Sequence, residues 1–85
     1  MSYSVVITPQ AQRQIRKMVQ SVQERVLLAI RQLEATPGPE GCIKMVGIRD
    51  LYRIRTGDYR IFYRIQDQKL LVLVLEVGNR REIYR

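Results

Sequence analysis

The 85-residue chain contains no histidine and no tryptophan, and Cys42 is its only cysteine. A single cysteine excludes an intramolecular disulfide and the usual cysteine–histidine metal sites, so we expect neither a metal nor another cofactor. The absence of histidine removes the side chain that most often accepts a proton near neutral pH. The longest apolar run, residues 70–75, is too short to cross a bilayer, and the N-terminus does not resemble a signal peptide. These absences predict a cytoplasmic protein without a membrane partner.

Acidic residues are also scarce, with 8 against 15 basic residues, which gives a formal net charge of +7. Twelve of the basic residues are arginine, and residues 44–85 hold ten basic residues but only five acidic ones. Such an excess in a small chain favours a polyanionic partner, and arginine is suited to bidentate phosphate contacts. A solvated basic surface is the alternative interpretation.

The length predicts one domain, residues 1–85, which begins with a β-branched strand at residues 3–7. Thr8 followed by Pro9 predicts the N-cap of a first helix. A capping box from Ser21 to Glu24 predicts the start of a second helix, which residues 36–39 (TPGP) end.

Residues 40–50 are expected to be irregular, and three strands are predicted at about 51–56, 59–66 and 69–77. The order β-α-α-β-β-β predicts an α+β fold in which a helical hairpin packs on one face of a small, mainly antiparallel sheet. The opposite face of that sheet should remain open.

Gly57 and Asp58 predict a type II′ turn, because glycine stands at the first central position. In that register Arg55 faces Arg60, and the alternation of side chains places six residues on one face: Leu51, Arg53, Arg55, Arg60, Phe62 and Arg64. The other face is apolar and suits the helices, so the arginines are expected on the open side, without an acidic residue among them. Because opposed arginines repel each other, the pattern favours an anion site over an ordinary solvated face.

Three stretches resemble the RelE branch of the RelE/ParE superfamily, the toxins of bacterial type II toxin–antitoxin modules. They are residues 51–65 (LYRIRTGDYRIFYRI), residues 70–85 (LLVLVLEVGNRREIYR) and the Lys44-x-x-Gly47 element. The resemblance implies a microbial-ribonuclease-like fold and a toxin that enters the ribosomal A site and cuts mRNA there. It also implies a cognate antitoxin protein as partner.

The resemblance places the family's functional positions on Arg53, Arg55, Arg60, Arg80 and Tyr84. From these positions, the predicted arginine face and the basic tail, we predict a catalytic group of Arg55, Arg60, Arg80 and Tyr84. The predicted RNA-binding group comprises Lys44, Arg53, Phe62, Arg64 and Arg81. Some relatives carry lysine where this chain has Arg53 and Arg55, and many carry histidine where it has Asn79. Since arginine does not act as a proton acceptor, the general base remains an open question.

Two other functions remain as alternatives. A ParE-like inhibitor of DNA gyrase would have the same fold without catalysis, and a small nucleic-acid-binding module would bind RNA or DNA without toxicity. The gyrase inhibitor has no need of the set formed by Arg60, Arg80 and Tyr84, so the sequence favours the ribonuclease.

Overall fold

A computed structural model describes residues 2–79, where two α-helices and five strands follow one another along the chain. The helices are α1 (Pro9–Arg16) and α2 (Gln20–Gln32), and a short 3₁₀ turn spans Asp67–Lys69. The strands are β1 (Ser4–Ile7), β2 (Ile43–Lys44), β3 (Leu51–Thr56), β4 (Tyr59–Gln66) and β5 (Leu71–Asn79).

The start of α1 is the one predicted from the sequence. Thr8 has an extended backbone, and its Oγ1 accepts a hydrogen bond from the Ala11 N–H at 3.3 Å. Pro9 follows in the first helical position, where its missing N–H has no helical partner to lose. The N-cap prediction is therefore confirmed.

The start of α2 differs from the prediction, because the Ser21–Glu24 capping box does not form. The helix begins at Gln20, and the N-cap residue Val19 makes no side-chain capping bond. Gln23 instead donates from Nε2 to the Met18 carbonyl at 2.9 Å, which ties the helix to the preceding link. Neither helix in residues 2–79 is long and apolar enough to cross a bilayer.

The strands form one sheet in the order β1-β5-β4-β3-β2, with β1 parallel to β5 and the other pairs antiparallel. The predicted α+β class is confirmed, and β2 is an additional short strand inside the segment expected to be irregular. β5 begins two residues later than predicted, because the 3₁₀ turn and a left-handed Leu70 (φ 49°) lengthen the connection from β4.

The hydrophobic core lies between the helices and one face of the sheet. It contains Ala11, Ile15, Val26, Ile30 and Leu33 from the helical layer and Ile54, Ile61, Tyr63, Val72, Val74 and Val77 from the strands. The Tyr63 hydroxyl donates to the Pro37 carbonyl at 2.8 Å, so the polar atom of this buried side chain is satisfied. We call this side of the sheet the helix-covered face.

Candidate active site on the open face of the sheet

The register of β3 and β4 is the one that the turn predicts. Arg55 pairs with Arg60, Arg53 with Phe62 and Leu51 with Arg64. Gly57 has a φ of 60° whereas Asp58 does not take a positive φ, which is the pattern of a type II′ turn. Both predictions, of register and of turn type, are confirmed.

The four arginines of β3 and β4 lie on the face opposite the helices. Their strand neighbours Ile54, Ile61 and Tyr63 are buried in the core, and successive side chains of a strand point to opposite faces. We call this second side of the sheet the open face. It carries the six residues predicted from the β3–β4 register: Leu51, Arg53, Arg55, Arg60, Phe62 and Arg64.

The arginines of the open face differ in burial. Arg55 is exposed and Arg53 and Arg64 are partly buried, but only 7% of Arg60 is accessible. Arg60 of β4 pairs with Gly78 of β5. Burial limits the positions that its guanidinium can adopt, and a preorganised donor is suited to stabilising a charge that develops in a transition state.

Phe62 lies on the open face as predicted, but only 9% of it is accessible. The ring therefore offers little surface on which a nucleic-acid base could stack. It lies directly opposite Arg53 and two residues from both Arg60 and Arg64, so it lies among the basic side chains of this face. A direct contact of Phe62 with RNA stays a prediction, and its burial favours a supporting role.

Lys44 is separated from the arginines. It lies in β2 opposite Tyr52, whose side belongs to the helix-covered face, while its neighbour Ile43 lies opposite Arg53. Residues 40–50 were predicted to be an irregular connection, with Lys44 as an RNA-binding residue. Because residues 43–44 instead extend the sheet, the alternation of side chains turns Lys44 to the other face. A contact of Lys44 with RNA stays a prediction, and its place on the other face makes that contact less favourable.

Arg80, Arg81 and Tyr84 lie outside the residues that the structure describes, so their predicted roles stay predictions. The strand that leads to them is held from the helix-covered side. Gln14 of α1 accepts a hydrogen bond from the Val77 N–H at 2.7 Å, and the Thr8 hydroxyl donates to the Leu75 carbonyl at 3.2 Å. β1 pairs with β5 only as far as Val74, so beyond that residue these two bonds take the place of backbone hydrogen bonds to a neighbouring strand.

Glu76 is a residue of the open face that the sequence analysis missed. It pairs with Phe62, so it lies on the same face as the arginines, which were expected to have no acidic neighbour. The register shifts between Phe62 and Tyr63, because Phe62 pairs with Glu76 and Tyr63 with Val74. No local signal in the apolar β5 sequence marks this bulge, and without it the alternation from Val72 and Val74 would place Glu76 in the core.

Two other polar regions of the described residues are less suited to binding a phosphate: the buried Tyr63 hydroxyl and a cavity at one end of the sheet. Burial raises the pKa of Tyr63, contact with the Cys42 thiol raises it further, and the hydroxyl lies on the helix-covered face. A cavity of about 470 Å³ lies near the β4–β5 turn, but its charged lining residues have both signs: Arg49, Asp50, Asp67 and Lys69. The open face remains the best candidate for binding a phosphate.

Comparison with known proteins shows that this chain is similar in sequence to toxins. The family model of the ParE toxin of type II toxin–antitoxin systems matches residues 5–84. The mRNA interferase toxin RelE of Escherichia coli K12 is 31% identical over 88 residues, which cover 99% of this chain and 92% of that protein. Toxin RelG of Mycobacterium tuberculosis is also 31% identical, over 100% of this chain and 99% of that protein.

Solved structures show the same fold. A chain of the RelBE2 toxin–antitoxin complex from Mycobacterium tuberculosis has a TM-score of 0.82 at 26% identity, covering 94% of this chain and 100% of that one. A chain of the archaeal RelE–RelB complex from Pyrococcus horikoshii has a TM-score of 0.83 at 30% identity, covering 94% and 97%.

Proposed function

Because the chain belongs to the ParE toxin family of type II toxin–antitoxin systems, we propose that it is a RelE-type toxin that cleaves mRNA and thereby inhibits translation. The observation that carries the proposal is the placement of four arginines on one face by the β3–β4 register. Guanidinium groups gathered in this way suit the backbone of a polyanion and the charge that develops at a reacting phosphate. The names of the relatives, mRNA interferase RelE among them, support RNA as the substrate.

The reaction that these residues suit is the attack of an RNA 2′-hydroxyl on the adjacent phosphodiester. Arg53, Arg55 and Arg60 stabilise the negative charge that the phosphorus centre gains in the transition state. In this proposal Arg80 stabilises the 5′-oxygen that leaves, and Tyr84 stacks on a base or orients the nucleophile. The proposed reaction is metal-independent, and each of its steps is assigned to side chains of this chain.

Dependence on the ribosome is part of the same proposal. The chain has no histidine and the described open face has a single carboxylate, so its capacity for proton transfer is low. An enzyme of this kind gains most from a substrate that is already positioned, and positioning contributes several kcal/mol to a reaction. In the cytoplasm, the A site of the ribosome would hold mRNA in such a fixed geometry.

The proposed protein partner is a cognate antitoxin, as in the toxin–antitoxin complexes whose chains share this fold. An acidic or amphipathic segment that orders on contact is suited to cover the basic open face. Neutralisation then needs no chemistry, because a covered open face is closed to mRNA.

Mapping of mRNA ends after induction tests the activity. Cells that express the wild-type protein should show new 5′ ends within translated codons, read by primer extension. Arg60→Ala should lower the cleavage rate by about 10²–10³-fold, since it removes one fixed donor to the transition state. Arg13→Ala, which removes an exposed arginine of α1, is the matched control and should cut like the wild type.

Arg60 is buried, so the thermal midpoint of each variant must accompany the rates, and Arg60→Lys supplies a second variant that keeps the charge. A folded Arg60→Ala protein that still cuts mRNA at the wild-type rate would refute the proposed role of the arginine.

The second candidate, inhibition of DNA gyrase, takes its support from the ParE name of the matching family model. The same induction experiment separates the two functions. Intact mRNA together with a DNA-damage response would favour gyrase, whereas cuts within codons favour mRNA cleavage. Salt-sensitive binding to nucleic acid without growth arrest would instead indicate a binding module.

A further inference from the structure

Glu76 is the one carboxylate that the described strands contribute to the open face. Its pairing with Phe62 fixes the face, and Val77, its neighbour, is buried in the core on the other side. The remaining acidic residues of residues 2–79 lie in helices, turns and connections: Glu24, Glu34, Glu40, Asp50, Asp58 and Asp67. A partly buried acid therefore lies within a basic face of otherwise uniform sign.

The surroundings of Glu76 are cationic. Phe62 lies between Arg60 and Arg64 on β4, so both arginines are diagonal neighbours of Glu76, and such positions are about 7–8 Å apart and within reach of long side chains. Arg53 lies one strand farther, opposite Phe62, and Arg55 lies opposite Arg60. On this face β1 contributes Ser4 and Val6, which carry no charge. A phosphate held by the arginines would lie beside the carboxylate.

No other side chain of the described open face is suited to accept a proton. Arginine stays protonated in proteins, and the uncharged members of this face are either apolar or, like Ser4 and Gln66, carry neutral oxygens that are very weak bases. Tyr52, Tyr59 and Tyr63 belong to the helix-covered face by the register, as does Lys44. Glu76 is thus the single residue of residues 2–79 that combines a basic oxygen with a position among the arginines.

We propose that Glu76 is the general base that takes the proton from the attacking 2′-hydroxyl, an assignment that rests on the proposed function. As the 2′-oxygen bonds to phosphorus, the hydroxyl proton moves to the Glu76 carboxylate. The bond from phosphorus to the 5′-oxygen breaks with its electron pair, which gives a 2′,3′-cyclic phosphate and an alkoxide beside the arginines. The alkoxide takes a proton from water, and Glu76 returns its proton to the solvent.

The structure also holds Glu76 in place. The Leu75 carbonyl on one side accepts from Thr8, and the Val77 N–H on the other donates to Gln14 at 2.7 Å. Both bonds anchor the bulged part of β5 to α1. A base with a fixed backbone on both sides suits proton transfer, which requires hydrogen-bond distances in the reacting complex.

Single-turnover cleavage of mRNA on programmed ribosomes, with the full-length protein in excess, tests the assignment. Glu76→Gln should cut about 10²–10⁴-fold more slowly than the wild type, which is the usual range for a lost general base. Glu24→Gln, which changes the net charge equally on the exposed side of α2, is the matched control and should cut normally. Thermal midpoints of the variants verify that each is folded.

The pH profile gives a readout that a structural role would not move. From about pH 6 to about pH 8.5 the Glu76→Gln rate should rise about tenfold per pH unit, because hydroxide then replaces the missing base. The wild-type and Glu76→Asp rates, which keep a carboxylate as the base, should rise much less steeply over the same range.

Chemical rescue gives a second readout. Formate should accelerate Glu76→Ala, where it fills the vacated carboxylate position, but not Glu76→Gln, where the amide occupies that space. Wild-type rates for Glu76→Gln, or slow cleavage with a flat profile and no rescue, would each overturn the assignment. A pH slope in Tyr84→Phe instead of Glu76→Gln would assign the base to the tyrosine. Wild-type protein that leaves ribosome-bound mRNA intact would refute the proposed function itself.

Discussion

The two faces of the sheet are built from alternate residues of the same strands, yet their side chains obey opposite rules. On the helix-covered face Ile61, Tyr63 and Val74 are fully buried, and the Tyr63 hydroxyl has its own acceptor. On the open face the same strands carry arginines opposite one another, with Arg55 paired to Arg60. Burial of apolar side chains on the helix-covered face stabilises the folded state, whereas the arginines of the open face repel one another.

The comparison shows how the arginines keep their spacing. If β3 slipped by one residue against β4, its core residue Ile54 would turn to the open face and its arginines would turn into the core. Burial of apolar residues on one side therefore fixes the positions of the charges on the other. The repulsion on the open face is tolerated because the core, and not the arginines, determines the register.

The largest effect on stability is expected from Ile61→Ala. Ile61 lies on the helix-covered face, between Arg60 and Phe62 in the sequence of β4. Ile61 is fully buried and pairs with Ile54 and Val77, so its truncation should lower the free energy of unfolding by about 2–5 kcal/mol. Chemical denaturation measures the loss. Leu28→Ala removes a largely exposed leucine of α2 as the control and should change stability by less than about 0.5 kcal/mol. Equal losses in the two variants would contradict the division between the faces.

Arg55→Gln on the open face is expected to have a smaller effect, and to lower the cleavage rate instead of the stability. The side chain is exposed and faces Arg60, so its loss should leave the free energy of unfolding within about 0.5 kcal/mol or raise it slightly. Cleavage of ribosome-bound mRNA should nevertheless fall about tenfold, less than for the buried Arg60, because solvent weakens an exposed charge.

The control for Arg55→Gln is Arg31→Gln, which removes an exposed arginine of α2. It should alter neither the stability nor the rate. A marked loss of stability in Arg55→Gln with an unchanged cleavage rate would contradict the proposal that the helix-covered face stabilises the fold and the open face carries out the reaction.

The sequence predicted the parts of the fold that depend on local chemistry. Thr8 and Pro9 mark a helix start, and Gly57 permits the positive φ that a type II′ turn requires, so the register and the arginine face followed. The capping box at Ser21 failed because a matching spacing does not ensure a cap when Val19 already provides the extended residue before the helix.

What the sequence could not predict depends on contacts between distant strands. The bulge that turns Glu76 to the open face arises from the pairing of β5 with β4, and the burial of Arg60 arises from tertiary packing that its own strand sequence does not encode. The position of Lys44 depends on a strand of two residues, Ile43–Lys44, which is too short for a recognisable alternation. Each is a property of a pair of segments, so no single segment carries its signal.

The last effect, milder than the tenfold loss of rate expected for Arg55→Gln, is expected where the two faces are linked, at Thr8. Its Oγ1 accepts from the Ala11 N–H at the start of α1 and donates to the Leu75 carbonyl beside Glu76. Thr8→Ala should lower the free energy of unfolding by about 1 kcal/mol, the usual value of an N-cap, and the thermal midpoint by about 4–8 °C. Thr8→Ser keeps the hydroxyl and should retain most of the stability. If serine were as damaging as alanine, the threonine methyl group and not the hydroxyl would hold α1 to the bulge, and the helical layer would then support the open face through packing alone.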